Sequence, residues 1–346
     1  MMAISSLDDI LKANAANQRF KFIWFKQVPA ACTIGKWFNT ACWAGCPPAM
    51  IYPAGQFVST NLNPQSAQCV ADVSPYLYGT MPHGGNVAPY TKYLTSVEVH
   101  ATVATGVPTW LMLVDLLMYY PGISMTTGGI TSAAQQVMNN TVSLPRYTNG
   151  NGVMMFLEAN VATGATASYI VQGSNCINNS GTGNGSTSNV GTYYTNSSGS
   201  AGQSVPGGDR APGDIVLAAA TASPHGIQVG GIATPITGIC HSGVTASYNF
   251  VSPFLQLAPG DTGVRSVYSL QISSTTASGM AALVLCKPLV QIPLQQTLVP
   301  SGRDFVFNMP TLPVIYDGAC LAFLLYCGAA TAQYCNLTAA LDFVWG

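Results

Sequence analysis

Trp110-Leu111-Met112-Leu113-Val114-Asp115-Leu116-Leu117-Met118-Tyr119-Tyr120 is, together with Ala319 to Ala330, the most apolar part of the chain. Neither run reaches the ~20 residues that a membrane span requires, and Asp115 interrupts the first. Both therefore read as strands of a buried core, and no membrane partner is expected. Around them lie further short segments rich in Val, Thr, Tyr, Leu and Phe: Tyr93 to Thr102, Val153 to Val161, Ala167 to Gln172, Asp214 to Ala220, Val264 to Ser273, Ala281 to Lys287 and Ala332 to Val344. Twenty-two prolines and 35 glycines, spread evenly, leave little room for long helices between them. The expected fold class is all-β, a sandwich or barrel.

The apolar run has a counterpart later in the chain. At an offset of 170 residues, Ala88-Pro89 falls on Ala258-Pro259, Ser96-Val97 on Ser266-Val267, and Leu113-Val114 on Leu283-Val284. Further on the offset shrinks: Leu144-Pro145 matches Leu312-Pro313 at 168, Phe156-Leu157 matches Phe323-Leu324 at 167, and Thr166-Ala167-Ser168-Tyr169 matches Thr331-Ala332-Gln333-Tyr334 at 165. Blocks that keep their order while loops shorten are what a duplication leaves. Two tandem sandwiches of jelly-roll or Greek-key type follow as the expectation. The Ser-, Gly- and Asn-rich stretch Ser174 to Gly213 reads as a long surface loop holding one strand near Val190 to Asn196. The expected domains are 1–28 as a helix and arm, 29–205 as the first sandwich and 206–346 as the second.

Residues Ser5 to Gln18 form the only convincing helix, with Ser5 or Ser6 as N-cap, Asp8 and Asp9 in the first turn, and Leu7, Ile10 and Leu11 along one side. It is followed by Arg19-Phe20-Lys21-Phe22-Ile23-Trp24-Phe25-Lys26, which alternates as a half-buried strand does. Helix and strand together read as an arm that docks on something else through Leu7, Ile10, Leu11, Phe20, Phe22 and Trp24. Such an arm is removable, leaving the sandwiches folded. The acidic start and the lack of a long apolar run after it argue against a secretory signal.

Charge limits the function classes. Eleven Lys+Arg and 12 Asp+Glu make only 7% of 346 residues, with a net charge of -1, against about 25% charged in ordinary soluble domains. Little repulsion holds copies apart, which favours association. Nucleic-acid binding needs clustered cations, and Arg19, Lys21, Lys26 and Lys36 are too sparse to supply them.

Catalytic signatures fail on spacing. Cys240-His241-Ser242-Gly243 lacks the first Gly of a nucleophile elbow. His83-Gly84-Gly85 has the look of an oxyanion loop, but a turn ahead of the strand at Tyr93 explains it equally well. Cys42 and Cys46 have no partner pair at finger-like spacing, and Cys320, Cys327 and Cys335 lie within apolar strands. Cys240 beside His241 has ligand chemistry, though buried thiols are the plainer reading; Cys32, Cys42 and Cys46 stand where a bridge would form under oxidising conditions. Glu98, Asp115 and Glu158 are the acids within first-unit strands, and Glu98 shares a strand face with His100. Sixteen tyrosines offer material for a carbohydrate platform at no evident place. No catalytic residue, metal ligand or cofactor is expected.

Three segments carry a resemblance to virion structural proteins of tailed phages: Met2-Ala3-Ile4-Ser5-Ser6-Leu7-Asp8-Asp9 with the basic-aromatic strand after it, Leu111-Met112-Leu113-Val114-Asp115-Leu116-Leu117-Met118-Tyr119-Tyr120-Pro121-Gly122, and Tyr194-Thr195-Asn196 followed by Gly199-Ser200-Ala201-Gly202. The resemblance implies a non-enzymatic β-sandwich protein located in the virion, a shell, decoration or cement component at the capsid surface. Its implied partners are further copies of itself, a trimer first, and other virion proteins such as the major shell protein. Alternative readings are a double jelly-roll major capsid protein and a tail or fibre receptor-binding module.

Overall fold

The computed structural model describes residues 4, 6–27, 36–48, 65–66, 80–101, 109–124, 135–137, 144–161, 169–173, 176–178, 190–194, 226–227, 253–254, 261–264, 269–272, 280–294, 296, 298–308, 312–327 and 336–346. In chain order these hold helix α1 (Leu7–Ala15) and strands β1 (Arg19–Gln27), β2 (Lys36–Asn39), β3 (Gly45–Cys46), β4 (Gln65–Ser66), β5 (Lys92–Ala101), β6 (Thr109–Ser124), β7 (Gln135–Val137), β8 (Met154–Val161), β9 (Tyr169–Gly173) and β10 (Cys176–Asn178). There follow β11 (Val190–Tyr194), β12 (Gly226–Ile227), β13 (Asp261–Val264), β14 (Ser269–Ile272), β15 (Met280–Leu294), β16 (Ser301–Asp304), α2 (Phe305–Asn308), β17 (Val314–Ile315), β18 (Leu321–Cys327) and β19 (Asn336–Trp345). The protein is all-β, as its apolar runs and breakers imply; the segment Asp214 to Ala220 lies outside the described residues.

The central sheet runs β15-β8-β12-β2-β18-β6-β4, and β15 also pairs with β6, so six of its strands close into a ring. Inside the ring sits one apolar cluster, drawn from Trp37, Met112, Val114, Leu116, Phe156, Val284, Leu324, Tyr326 and their neighbours. Outside it, the sheet β16-β5-β19-β1-β3, with β17 also on β5, covers a second cluster that includes Trp24, Leu94, Val97, Leu111, Leu113, Phe323 and Leu341. Strands β6 and β18 are thus buried on both faces, which is why their sequences run apolar, with Asp115 the one charge, where β19 alternates. Two small sheets complete the set, β11-β9-β14-β7 and β10-β13.

The long strand β15 runs past Pro288 and Pro293, where the sequence led us to end it at Lys287. Strand β8 pairs with β15 only as far as Cys286, and the ladder to β6 shifts between Pro288 and Val290. A residue with no N–H is tolerated where one strand edge is open and the register is irregular.

One pair of sequence-matched blocks lies side by side, and a second flanks it. Of the blocks offset by 170, Leu113-Val114 and Leu283-Val284 lie in β6 and β15, antiparallel to one another over Thr109↔Leu294 to Ser124↔Met280, while Ala258-Pro259 and Ser266-Val267 lie outside the described residues; Phe156-Leu157 and Phe323-Leu324, offset by 167, lie in β8 and β18. Their order in the sheet is β18-β6-β15-β8, so each long strand carries on its outer edge the closing strand from the other half of the chain. Likewise β5 pairs with β19, and β14 with β9. The expected split into sandwiches 29–205 and 206–346 is therefore corrected: strands from both sides of residue 206 interleave in the same sheets, because the mates of each long strand come from the opposite half.

The expected arm is corrected too. Strand β1 is paired with β19 along its whole length, from Arg19↔Val344 to Gln27↔Asn336, and with β3 on its other edge. Trp24 is 1% exposed, with its ring 4.9 Å from Phe323, and Phe20 and Phe22 pack partly buried against the same cluster. Helix α1 is capped by Ser6, whose hydroxyl accepts from the Asp9 N–H while the Asp9 carboxylate accepts from the Ser6 N–H. It buries Ile10 and Ala13 and leaves Leu7 and Leu11 outside, so Leu7, Ile10 and Leu11 do not share one fate.

Lys26, which alternation sets on the same face of β1 as Phe20, Phe22 and Trp24, is fully buried there. Its ammonium donates to the carbonyls of Trp43 at 2.8 Å, Pro47 at 2.7 Å and Pro48 at 3.2 Å, tying β1 to the corner that follows β3. A long cation can do this because a charge inside a protein is tolerated when its donors are satisfied.

Trp24→Ala is expected to cost about 3–5 kcal/mol of unfolding free energy by urea titration, the usual loss for emptying a large aromatic site. Residues 1–205 and 206–346 made as separate chains should each lack a cooperative thermal transition and regain one when co-expressed; a cooperative transition in either fragment alone would refute the interleaving as a requirement for folding.

Candidate functional site

A groove of about 740 Å³ opens between the segment Pro145 to Asn151, the turn Val314 to Asp317, the start of β5 and the middle of β15. Its two walls begin at the Leu144-Pro145 and Leu312-Pro313 steps that match in sequence, so the segments after those steps face each other across it. Beneath it lies Asp115, the one interruption in the apolar run. In β6 Asp115 is opposite Lys287 of β15 in register, which sets a polar layer across the middle of the two longest strands.

The floor is an ion pair. Arg146 donates from Nε to Asp115 Oδ2 at 2.8 Å and from Nη2 to Asp115 Oδ1 at 2.7 Å, and Nη2 also reaches the Leu116 carbonyl at 2.8 Å. The Cys320 N–H donates to Asp115 Oδ1 at 2.8 Å. Burial pushes the Asp115 carboxyl up, and Arg146 with the Cys320 amide opposes that shift. Two-pronged geometry of this kind satisfies a carboxylate that the surrounding strands would otherwise expel.

One wall carries a second network. The Lys92 ammonium lies 2.8 Å from His83 Nδ1, donates to the Gly85 carbonyl, and stands 3.7 Å from Asp317 Oδ1. Asp317 is held by the Val87 N–H at 3.0 Å and the Ala88 N–H at 3.1 Å. Burial lowers the Lys92 pKa to about 8 against the pull of Asp317. Burial, then the Lys92 charge, lowers that of His83 to about 3, so the ring stays neutral and its Nδ1 accepts from the ammonium. Gly84 and Gly85 adopt φ of 89° and 70°, so His83-Gly84-Gly85 is the turn ahead of β5 and His83 is committed to Lys92.

Aromatic rings join the two walls. Tyr147 and Tyr316 meet edge to face at 4.9 Å, and Lys287 Nζ sits 5.5 Å from the Tyr147 ring centroid while donating to the Asn151 carbonyl at 2.9 Å. Burial lowers the Lys287 pKa. Gly152, at φ 69°, leaves the space that Lys287 occupies, since a Cβ there would run into its ammonium. Tyr147 itself takes φ 50°, an uncommon conformation for a bulky residue, and its turn closes by the Gly150 N–H donating to the Tyr147 carbonyl at 2.6 Å.

Of the acids weighed from sequence, only Asp115 belongs to this site. Glu98 is on the outer face of β5 with His100, and Glu158 is buried and accepts from Asn39 at 2.9 Å, so the three do not converge. Among the described residues no group of three His, Cys, Asp or Glu is placed to hold a metal ion. Cys46 is an exposed thiol and Cys286 and Cys320 are buried thiols, none of them in a disulfide; Cys32, Cys240 and His241 lie outside the described residues. Sequence reasoning did not single out Lys92, Arg146, Tyr147, Lys287, Tyr316 or Asp317. The signal available was the pair of matched Leu-Pro steps, which immediately precede two of the groove's walls.

The His83 environment sets a pH dependence. Below pH 6.5 the unfolded chain protonates His83 and the folded chain does not until about pH 3, so stability falls as pH drops through that window. Lys92 acts at the other end: between pH 8 and 10.5 the unfolded chain holds a proton that the folded chain has released, and this contribution rises with pH. Urea unfolding at pH 7, 5.5 and 4.5 should show His83→Gln losing less stability on acidification than the native protein; parallel losses would assign the acid sensitivity elsewhere.

No protein-family model, no curated protein and no solved structure matches this chain, so the chemistry of the groove is read from its own side chains.

Proposed function

We propose that this chain is a non-enzymatic structural protein of a tailed-phage particle that self-associates, as a trimer first, and packs on the capsid as a shell, decoration or cement component. The observation that carries the contact role is the outward row of β1. Ile23 is 61% exposed and Phe25 36%, on the face opposite Trp24, with Ala340 and Thr338 of β19 beside them in register. Leu7 and Leu11 of α1 add 46% and 57% exposure nearby in sequence. Large apolar side chains held outward on a rigid, fully paired strand suit a surface that another subunit covers. The low charge of the whole chain and the virion-like segments support the same reading, with the major shell protein as the further partner.

The matched blocks and the order β18-β6-β15-β8 support an internal duplication in which the closing strands of the two units are exchanged. On this reading one chain is a fused pair, and its contact surfaces come in related copies. The groove favours a second reading, a receptor-binding module of tail or fibre.

Copy number separates the two. Quantitative mass spectrometry of gradient-purified, DNA-filled particles is expected to show this chain at a level comparable with the principal shell protein. A handful of copies would favour tail or fibre, and absence from particles would remove the virion reading. Ile23→Asp combined with Phe25→Asp should abolish incorporation with the thermal transition of the free protein kept; unchanged incorporation would dismiss β1 as the contact.

A further inference from the structure

We propose that the groove between the Pro145 to Asn151 segment and the Val314 to Asp317 turn binds a monoanionic, carboxylate-bearing sugar of the uronic- or sialic-acid class, with Lys287 as the cation that receives the carboxylate and Tyr90 and Tyr316 as stacking faces. The inference does not depend on where in a particle, or whether in one, the chain is found.

Charge selects the anion. Three of the chain's 11 basic residues, Lys92, Arg146 and Lys287, line this one groove. Asp115 occupies Arg146 through two hydrogen bonds, and Asp317 stands against Lys92. Lys287 is left with a backbone carbonyl and a tyrosine ring and, among the described residues, with no carboxylate in salt-bridge range. The surplus is a single positive charge in a half-enclosed space, which matches a carboxylate and not a phosphate dianion or a nucleic-acid backbone.

The remaining lining selects a sugar. Tyr90 and Tyr316 are 42% and 46% exposed, broad amphipathic rings that offer an apolar face with a hydroxyl at its edge. A pyranose has the matching pair of surfaces, C–H groups on its face and hydroxyls around its rim. Thr148 and Asn151 add short polar side chains at the same opening. The volume of about 740 Å³ is that of a small-ligand site, and its place at the junction of the two halves is where such sites recur. An acidic peptide would also meet Lys287 through a side-chain carboxylate, but it has no pyranose face to lay on Tyr90 and Tyr316, so it serves as a competing probe below. These features also give a place to the tyrosine platform that composition alone leaves unlocated.

The test is calorimetric titration of the full chain at low ionic strength with four probes: sialyllactose, a hyaluronan tetrasaccharide, neutral lactose, and a Glu-rich hexapeptide. The expected result is binding of one or both acidic saccharides at least about tenfold tighter than lactose or the peptide. Tetrasaccharide binding without sialyllactose binding would point to a polymer source, and the reverse to a terminal sialyl group. Lys287→Met and Tyr316→Ala should each weaken the acidic saccharide about tenfold or more, and Lys287→Arg should retain most of the affinity. Tyr316 is on an exposed turn, so its variant reports on binding even where the Lys287→Met protein unfolds. Equal binding of lactose, preference for the peptide, full affinity in the Tyr316→Ala protein, or no heat from either acidic saccharide at millimolar concentration would each overturn the proposal.

Discussion

The antiparallel ladder between β6 and β15 is the constraint on which the rest of the structure depends. It joins residues 109–124 to 280–294, and every other major piece is placed by reference to it. Strand β18 takes the free edge of β6, β8 takes part of the free edge of β15, and the ring closes through β2 and β12. Because both faces of β6 are covered, one by the ring's interior and one by the β5-β19-β1 layer, nothing polar can stand along it without a dedicated partner. The apolar run in the sequence is the direct consequence.

Asp115 is the exception that shows the rule. A carboxylate in the middle of such a strand costs several kcal/mol of desolvation unless it is paired and its oxygens are filled. Arg146 and the Cys320 amide fill them, and they come from segments far apart in sequence. Asp115 also stands where the cluster under the β5-β19-β1 layer ends along β6, with Leu111 and Leu113 on one side of it in that cluster. The polar layer built there with Lys287 is what opens toward solvent as the groove. A pair of this kind is weak evidence for added stability, but it positions the Arg146 to Asn151 segment, including the strained Tyr147, against the rest of the site.

Several elements are legible in the chain itself. The helix is bounded by Ser6 and its capping partner Asp9, both local signals, and β1, β5, β8 and β18 fall within a few residues of where the apolar patterns put them. Alternation in β5 correctly sends Glu98 and His100 outward and Val97 and Val99 inward. Lys26 and Trp24 illustrate the limit. Alternation puts both on one face, but only the carbonyls of Trp43, Pro47 and Pro48 make Lys26 an interior cation, and only packing on Phe323 of β18 makes Trp24 a core residue. The groove was less legible still. Its charged members are single residues scattered from Lys92 to Asp317, with no spacing rule to link them.

What the sequence alone determined, then, is what depends on local chemistry: strands where apolar residues run between breakers, a capped helix at the start, a surface poor in charge, and two halves with matching blocks. What only the tertiary structure decided is which strands sit side by side. Each half has its own long strand and its own closing strands, and nothing in their sequences states that β18 completes β6 and β8 completes β15. Antiparallel edges of similar composition pair almost equally well, and the choice between near and exchanged partners is made by the combined burial of two cores at once. The same choice brings the two Leu-Pro turns face to face and sets Lys287, Tyr147 and Tyr316 around one opening. The site exists because the halves interleave.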